Sequence, residues 1–331
     1  MKTVKIYLPW DDTQFPSLFR QTPTENGIWK NFHFHINDTS TACDYLVVFS
    51  GNKSTISERI DKNKTLFIAG EPPDIKKYPE RYIAQFGSVI CSDTKLLHPE
   101  KRLYQQGYPW FCGVQFGEGK NRRSIKNYDD FKKDTQINKT KLISVVCSNK
   151  SSKAGHRKRF EFVQKLKDAF GDELDCFGTG QNPISDKTDA IRPYKYHIAI
   201  ENSVATDYWS EKLSDCYLEE AFPFYAGCPN IDRYYSPKAY LKLNLDSIDE
   251  SVNTIRKAIS ENRYEKSLAA IQRAKNQVLD VYNIFNLITD HFESLSTQSK
   301  TRNLTFKAYP VKYFTKGLAY KIKLMLKDLI T

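Results

Sequence analysis

The sequence has no apolar run long enough to cross a bilayer and none that reads as a secretory leader. Lys2 and Lys5 interrupt the opening stretch MKTVKIYLPW, which predicts a first strand instead. The seven cysteines form no CxxC pair and no Cys/His pattern with metal spacing. Their number is odd and their positions are dispersed, and Cys91, Cys147, Cys176 and Cys228 lie in or beside apolar runs. Buried reduced thiols and a cytoplasmic location are therefore expected. A Walker-type phosphate loop is absent, because the Gly spacing and the Lys-Ser/Thr pair are missing. No internal repeat and no low-complexity tract occurs. Acidic residues are in deficit, 39 against 50 Lys and Arg, giving a net charge of +11. That balance attracts an anionic partner, although solubility alone also accounts for much of it.

What is present supports a sizeable core. The 331 residues are 40% hydrophobic and 13% aromatic, enough for two ordinary domains. Short apolar runs at 4–9, 45–50, 65–70 and 88–93 read as buried strands, each closing in polar or Gly residues. Residues 79–86 read as a helix with Pro near its start. The polar stretch 117–139 reads as an interdomain connection. Beyond it the alternation restarts, with strands at 141–148, 174–178 and 240–244, a helix at 156–170 and strong helical periodicity from about 251 to 295. This is α/β order. The expected domains are 1–125, 140–297 and a basic amphipathic tail, 298–331.

Residues 194–229, YKYHIAIENSVATDYWSEKLSDCYLEEAFPFYAGCP, carry the most chemistry. An apolar run delivers Glu201 and Asn202 to its polar end. A loop and a helix opened by Glu211 and Lys212 follow, then a second strand ending at Tyr225-Ala226-Gly227. In open α/β sheets the ligand crevice lies outside the carboxyl ends of the strands. Asn202 donates and accepts, Tyr208 offers an aromatic with a polar tip, Glu211 accepts two sugar hydroxyls, and Lys212 neutralises phosphate. A bare Glu-Lys pair is more often solvated surface, so the context is what makes it informative.

Two further clusters stand at strand ends. Ser148-Asn149 followed by the basic helix start Gly155–Arg159 is an anion-binding arrangement. It requires one of Arg157 and Arg159 to point inward, and Arg159 shares a helix face with Phe162 and Leu166. Glu71, in Gly70-Glu71-Pro72-Pro73, is a carboxylate held at a strand end, a placement suited to a general base. The plainer reading is a turn glutamate with its charge in water.

YKYHIAIENS, DYWSEKL and FPFYAGCP resemble the donor-binding signature of the α-1,3-fucosyltransferases, glycosyltransferase family 10. The matching residues are Tyr194, Lys195, Tyr196, Glu201, Asn202, Ser203, Asp207, Tyr208, Ser210, Glu211, Lys212, Pro223, Tyr225 and Gly227. Ser148-Asn149, Arg159 with Phe162 and Leu166, and the GEPP segment resemble other family motifs. Ala226 and Ile200 depart from it, standing where Trp and Phe are common.

The resemblance implies a GT-B fold, two Rossmann-like domains facing a cleft, here with a C-terminal helical tail. It implies GDP-fucose as donor, a glycan acceptor, inversion at the sugar and no metal or other cofactor. It makes Glu71 the base and gives donor contacts to Ser148, Asn149, Arg159, Tyr196, Asn202, Tyr208, Glu211 and Lys212. The sequence also has no Asp-x-Asp triplet, the usual clamp for a metal-bound nucleotide sugar, so Arg, Lys and amides must meet the leaving-group charge. Two other readings compete: the same scaffold with another nucleotide sugar, and a non-catalytic basic binder of nucleic acid or anionic glycan. The binder predicts exposed aromatics among Lys and Arg, whereas most Tyr and Phe here sit in apolar periodic runs. Nucleic acid is accordingly not expected as a partner.

The tail, residues 306–330, carries six lysines among aromatics and aliphatics. Such a segment suits peripheral contact with an anionic inner membrane face, where lipid-carried or surface glycans are built. Packing on the neighbouring domain is the competing reading.

Overall fold

The computed structural model describes residues 1–10, 17–117, 122–135, 137–148, 154–295 and 305–328. They form two α/β units: Met1–Gln106 with Ile284–Thr331, and Gly107–Asn283.

The first unit holds β1 (Lys2–Tyr7), β2 (Ile28–Trp29), β3 (Phe32–Ile36), β4 (Tyr45–Phe49), β5 (Ile56–Arg59), β6 (Thr65–Ile68), β7 (Ser88–Cys91) and β8 (Lys101–Leu103), with α1 (Glu80–Ile83) between β6 and β7. Seven of these strands make a sheet in the order β2-β3-β1-β4-β6-β7-β8, parallel except for the β2–β3 hairpin. β4, β6 and β7 are buried along nearly their whole length, which is why they read as continuous apolar runs and not as alternating ones.

The second unit opens with a small hairpin, β9 (Val114–Phe116) and β10 (Arg122–Ser124), and α2 (Tyr128–Lys133). Then come β11 (Lys141–Val146), α3 (Ala154–Phe170), β12 (Leu174–Phe177), α4 (Lys187–Ile191), β13 (Tyr194–Ile200), α5 (Glu211–Leu218), β14 (Phe222–Ala226), β15 (Leu241–Lys242), α6 (Ile248–Ser260) and α7 (Arg263–Asn276). The sheet is wholly parallel in the order β12-β11-β13-β14-β15. This is the doubly wound order, and the winding reverses between β11 and β13.

The chain then returns to the first unit through α8 (Ile284–Ser294), β16 (Thr305–Ala308), α9 (Val311–Thr315) and α10 (Leu318–Asp328). Two mixed parallel-sheet units of this kind are the GT-B class.

The unit borders differ from the expected 1–125, 140–297 and 298–331. The described part of 117–139 is not a connection but belongs to the second unit: Phe131 is buried, Lys126 pairs with Glu219 at 3.1 Å and Lys132 with Asp280 at 2.6 Å. α8 belongs to the first unit because Phe285 packs on Trp29 and Phe34, and Phe292 stacks on Tyr45. The tail is not separate either. β16 pairs antiparallel with β5, and Phe306 and Ala308 join the first unit's core.

Candidate functional site

The carboxyl ends of β11 and β13, where the winding reverses, open onto a cavity of about 430 Å³. Val146 and Ser148 come from the first of these strands, Ile198, Ala199, Ile200 and Asn202 from the second. The start of α3 is pressed against the same point. A Cβ on Gly155 would meet the Asn202 carbonyl oxygen at 2.1 Å, so only glycine allows this approach. His156 and Arg159, one turn into α3, thereby reach the cavity wall. Arg159 is buried, while Arg157 is exposed. Arg159 Nη2 donates to Ser148 Oγ at 3.4 Å.

Glu201 fixes the far side of the site. Its two carboxylate oxygens accept from Ser210 N (2.8 Å) and Ser210 Oγ (2.7 Å). Ser210 in turn caps α5 by accepting from Lys212 N. Asp207, in the left-handed region at φ 58°, accepts from Asn230, Arg233 and Tyr234 and pins the loop before that cap. Gly227 lies beneath Glu201, where a Cβ would meet Glu201 Cγ at 2.5 Å. The Glu of the IENS motif is thus structural: it sets where α5 begins, and so where Glu211 and Lys212 point.

Four cations line the cavity among the described residues: Arg122, Arg159, Lys187 and Lys212. Lys212 Nζ lies 3.1 Å from Glu211 Oε1 and 3.5 Å from Glu201 Oε2. Lys187, in the first turn of α4, reaches Glu211 Oε1 at 3.3 Å and Asp215 Oδ2 at 3.2 Å. Burial opposes ionisation of Glu211, but Lys212 and Lys187 outweigh it and hold its carboxyl below the usual range. Burial likewise opposes the Lys187 charge, and Glu211 with Asp215 outweighs it, so its ammonium is held above the usual lysine range. For Asp215 burial prevails and raises the carboxyl. His197 is buried among these cations, with Nδ1 2.8 Å from Ser144 Oγ; burial, then Lys187 and Lys139, push its imidazole down to about 3.

On the cavity wall, Asn202 Oδ1 and Arg159 Nε are buried with no hydrogen-bond partner among the described residues. Buried groups of this kind call for a partner. A donor and an acceptor so placed beside an excess of positive charge suit a phosphorylated, hydroxyl-bearing ligand.

The sequence-predicted donor residues thus come together in part. Ser148, Arg159, Asn202, Glu211 and Lys212 share the cavity. Asn149 lies outside the described residues. Tyr208 is buried and packs edge-on against Tyr108, and it is not among the lining residues. Tyr196 is a correction. Its ring is in the core, stacked on Phe224, and its hydroxyl accepts from Tyr264 N and donates to Ala258 O. Side chains alternate across a strand, so Tyr196 faces α6 and α7 while its neighbour His197 faces the cavity. Lys187, Arg122, Phe111 and Phe116 line the cavity and were not anticipated. The signal for Lys187 was Asp186, a helix cap just before it.

Glu71 stands in the first unit, half-buried at the carboxyl end of β6. Gly70 before it is packed so tightly that a Cβ would meet Ser50 Oγ at 2.3 Å. Lys76, bonded to the Ser50 carbonyl, has its charge opposed by burial and favoured by Glu71.

Residues 136–267 match the model of glycosyltransferase family 10 (fucosyltransferase), C-terminal region. The resemblance to glycosyltransferase family 10 stands. The match covers the doubly wound sheet, all of 194–229 and the cavity lining except Phe111, Phe116 and Arg122. An α-(1,3)-fucosyltransferase, FucT, of Helicobacter pylori is 26% identical over 74 residues, which is 22% of this chain and 16% of that relative's length. The crystal structure of an α1,3-fucosyltransferase with GDP superposes with a TM-score of 0.51 at 16% identity, covering 86% of this chain and 93% of the other. One with GDP-fucose gives 0.50 at 15% identity, covering 85% and 92%. At such identity the family's solved structures bear on the fold.

Proposed function

We propose that this protein is an inverting, metal-independent glycosyltransferase that moves fucose from GDP-fucose to a glycan hydroxyl. The observation that carries the reading is the cationic cavity at the winding reversal, which gathers Ser148, Arg159, Asn202, Glu211 and Lys212, residues that match family 10 motifs. Arg159 and Lys212 hold the diphosphate, and Asn202 and Glu211 take donor hydroxyls. The acceptor oxygen attacks the anomeric carbon and gives its proton to Glu71. The bond from that carbon to the phosphate oxygen breaks, and the electron pair leaves with GDP. Charge gathering on the departing diphosphate is met by Arg159 and Lys212, a stabilisation stronger in the transition state than in the ground state.

The protein works in the cytoplasm, at the inner membrane face, with α10 as the contact. Free cysteines throughout the described chain fit a reducing compartment. No helix of the described residues is long and apolar enough to cross a membrane, but α10 exposes Leu318 and Ile322 one turn apart.

Incubation with GDP-fucose and a panel of glycans tests the reading. GDP release with a mass gain of one deoxyhexose on a glycan is expected. A thermal-shift preference for a uridine nucleotide would instead assign the scaffold to another donor. Salt-dependent nucleic-acid binding with no response to any nucleotide sugar would overturn the enzyme reading.

A further inference from the structure

Lys187 occupies an unusual position for a lysine in a cationic cavity. It does not stand free to meet an anion. Its Nζ lies between Glu211 Oε1 and Asp215 Oδ2, 5.3 Å over the face of Phe111. Asp215 is fully buried and also accepts from Phe111 N, so without Lys187 it would be a buried carboxylate lacking its cation.

The backbone under Lys187 is held as firmly as its head. Asp186 caps α4 by accepting from Thr188 N at 2.8 Å, and the same oxygen accepts from Gly113 N at 3.1 Å. The Thr188 hydroxyl donates to Glu219, which is fully buried. Glu219 also takes Arg192 at 3.0 Å and Lys126 at 3.1 Å. A short helix nailed down on this scale presents its lysine in one place.

Both ammonium groups near Glu211 meet the same oxygen, Oε1: Lys187 at 3.3 Å and Lys212 at 3.1 Å. Oε2 takes neither ammonium, and the Ser210 side chain adds a hydrogen bond to the same carboxylate. A carboxylate pinned by one oxygen presents the other in a fixed direction, and a fixed acceptor discriminates for or against a single hydroxyl. With Lys187 already compensating Glu211, and Ser210 N and Oγ each bonding one oxygen of Glu201, Lys212 can turn to a diphosphate.

We propose that Lys187 is a positioning residue. It locks Glu211 so that the carboxylate oxygen that meets no ammonium reads a ribose hydroxyl of a nucleoside diphosphate, and it releases Lys212 for the phosphates. This rests on the donor-site reading above.

Calorimetry with GDP, 2′-deoxy-GDP and 3′-deoxy-GDP tests it. Wild-type protein should bind at least one deoxy analogue about tenfold more weakly than GDP, the worth of a hydrogen bond to a charged group. Lys187→Gln should shrink that ratio to about twofold, while Lys187→Arg, which keeps the charge, should preserve most of it. In a Glu211→Gln background, Lys187→Gln should change the ratio little, because the two act through one contact. The cycle and the Arg variant keep the test decisive if Lys187→Gln lowers the melting temperature. Lys187→Gln weakening all three nucleotides equally would overturn the proposal, leaving Lys187 as scaffold or a plain phosphate contact. Wild type binding the three nucleotides equally would overturn it too, while the GDP-sugar reading survived. Wild type ignoring guanine nucleotides altogether would remove that reading and this one together.

Discussion

The second unit ends β11 and β13 in a pocket lined by four cations, with Glu211 and Asp215 set between them. The first unit ends β4 and β6 in Ser50, Gly51, Gly70 and the single carboxylate of Glu71. Its own buried ion pair lies elsewhere: Lys5, 1% exposed, meets Glu58 at 2.7 Å, and Tyr7 donates to the same carboxylate oxygen. Both units use a parallel sheet, yet one gathers four cations at its strand ends, while the other sets one carboxylate, Glu71, beside one lysine, Lys76, at the ends of β4 and β6. A polyanion needs several cations held apart by compensating carboxylates. Proton abstraction needs one carboxylate within reach of a proton.

The sharpest way to break that contrast is to exchange what each unit loses. Glu71→Gln should lower turnover about 100- to 10,000-fold, the usual weight of a general base. Its affinity for GDP, by calorimetry, should stay within about twofold. Lys212→Ala should do the reverse to binding, weakening GDP about tenfold or more through loss of a charge-assisted contact. Full turnover in Glu71→Gln would remove the base from the first unit. Unchanged GDP affinity in Lys212→Ala would remove the phosphate contact from the second.

A smaller effect compares the cores. Each unit buries one neutral histidine: His197 beside Ser144 in the second, His291 beside Ser88 in the first. Burial pushes His197 down to about 3 and His291 to about 4, with nearby cations adding to both. An unfolded histidine takes up its proton near pH 6.5, while these folded ones do not. Stability is therefore whole above about pH 6.5 and falls as the pH drops, by about 1.4 kcal/mol per unit for each histidine. Between pH 6.5 and 5 that is about 2 kcal/mol per unit of structure. Hydrogen exchange measured across pH should show both cores loosening together. The loss from His291 should level off near pH 4 and that from His197 nearer pH 3. His197→Asn should flatten the second unit's acid response and leave the first unit's slope alone. An unchanged slope in that variant would mean other groups carry the effect.

The two units were not equally legible. In the second, local spacing sufficed for much of the site. Asn202 stands at a strand end, Arg159 shares a face with apolar Phe162 and Leu166, and Lys212 follows a capping serine. Lys187 was hidden because ISDKTDAIRP looks like a surface turn, and only the packing of α4 beside α5 brings it to Glu211. Tyr196 was misassigned because membership of a motif does not say which side of the sheet a residue faces. In the first unit, the pairing of β5 with β16 joins residues some 250 positions apart, beyond any local pattern. Yet the alternation in Thr305–Ala308, exposed then buried twice over, was a strand's period within a tail that otherwise reads as helical.

That strand reshapes the smallest prediction. Cutting the chain near residue 305 would remove Phe306 and Ala308 from the first unit's core, so loss of vesicle binding would report damage as well as contact. The cleaner probe leaves β16 in place and changes α10. Leu318 is 72% exposed and Ile322 49%, one turn apart, with Lys312 and Lys316 also exposed. Apolar side chains flanked by lysines insert at an anionic interface, where the chain contributes burial and the lysines contribute attraction. The double variant Leu318→Ser, Ile322→Ser should lower partitioning onto anionic vesicles about tenfold, reflecting partial burial of two aliphatic groups. Its transfer activity toward a soluble glycan should be unchanged, because neither side chain is packed in the core. Equal vesicle binding by variant and wild type would return α10 to the surface of the first unit. Binding lost equally to neutral vesicles would show that the aliphatic face dominates and that the lysines serve solubility alone.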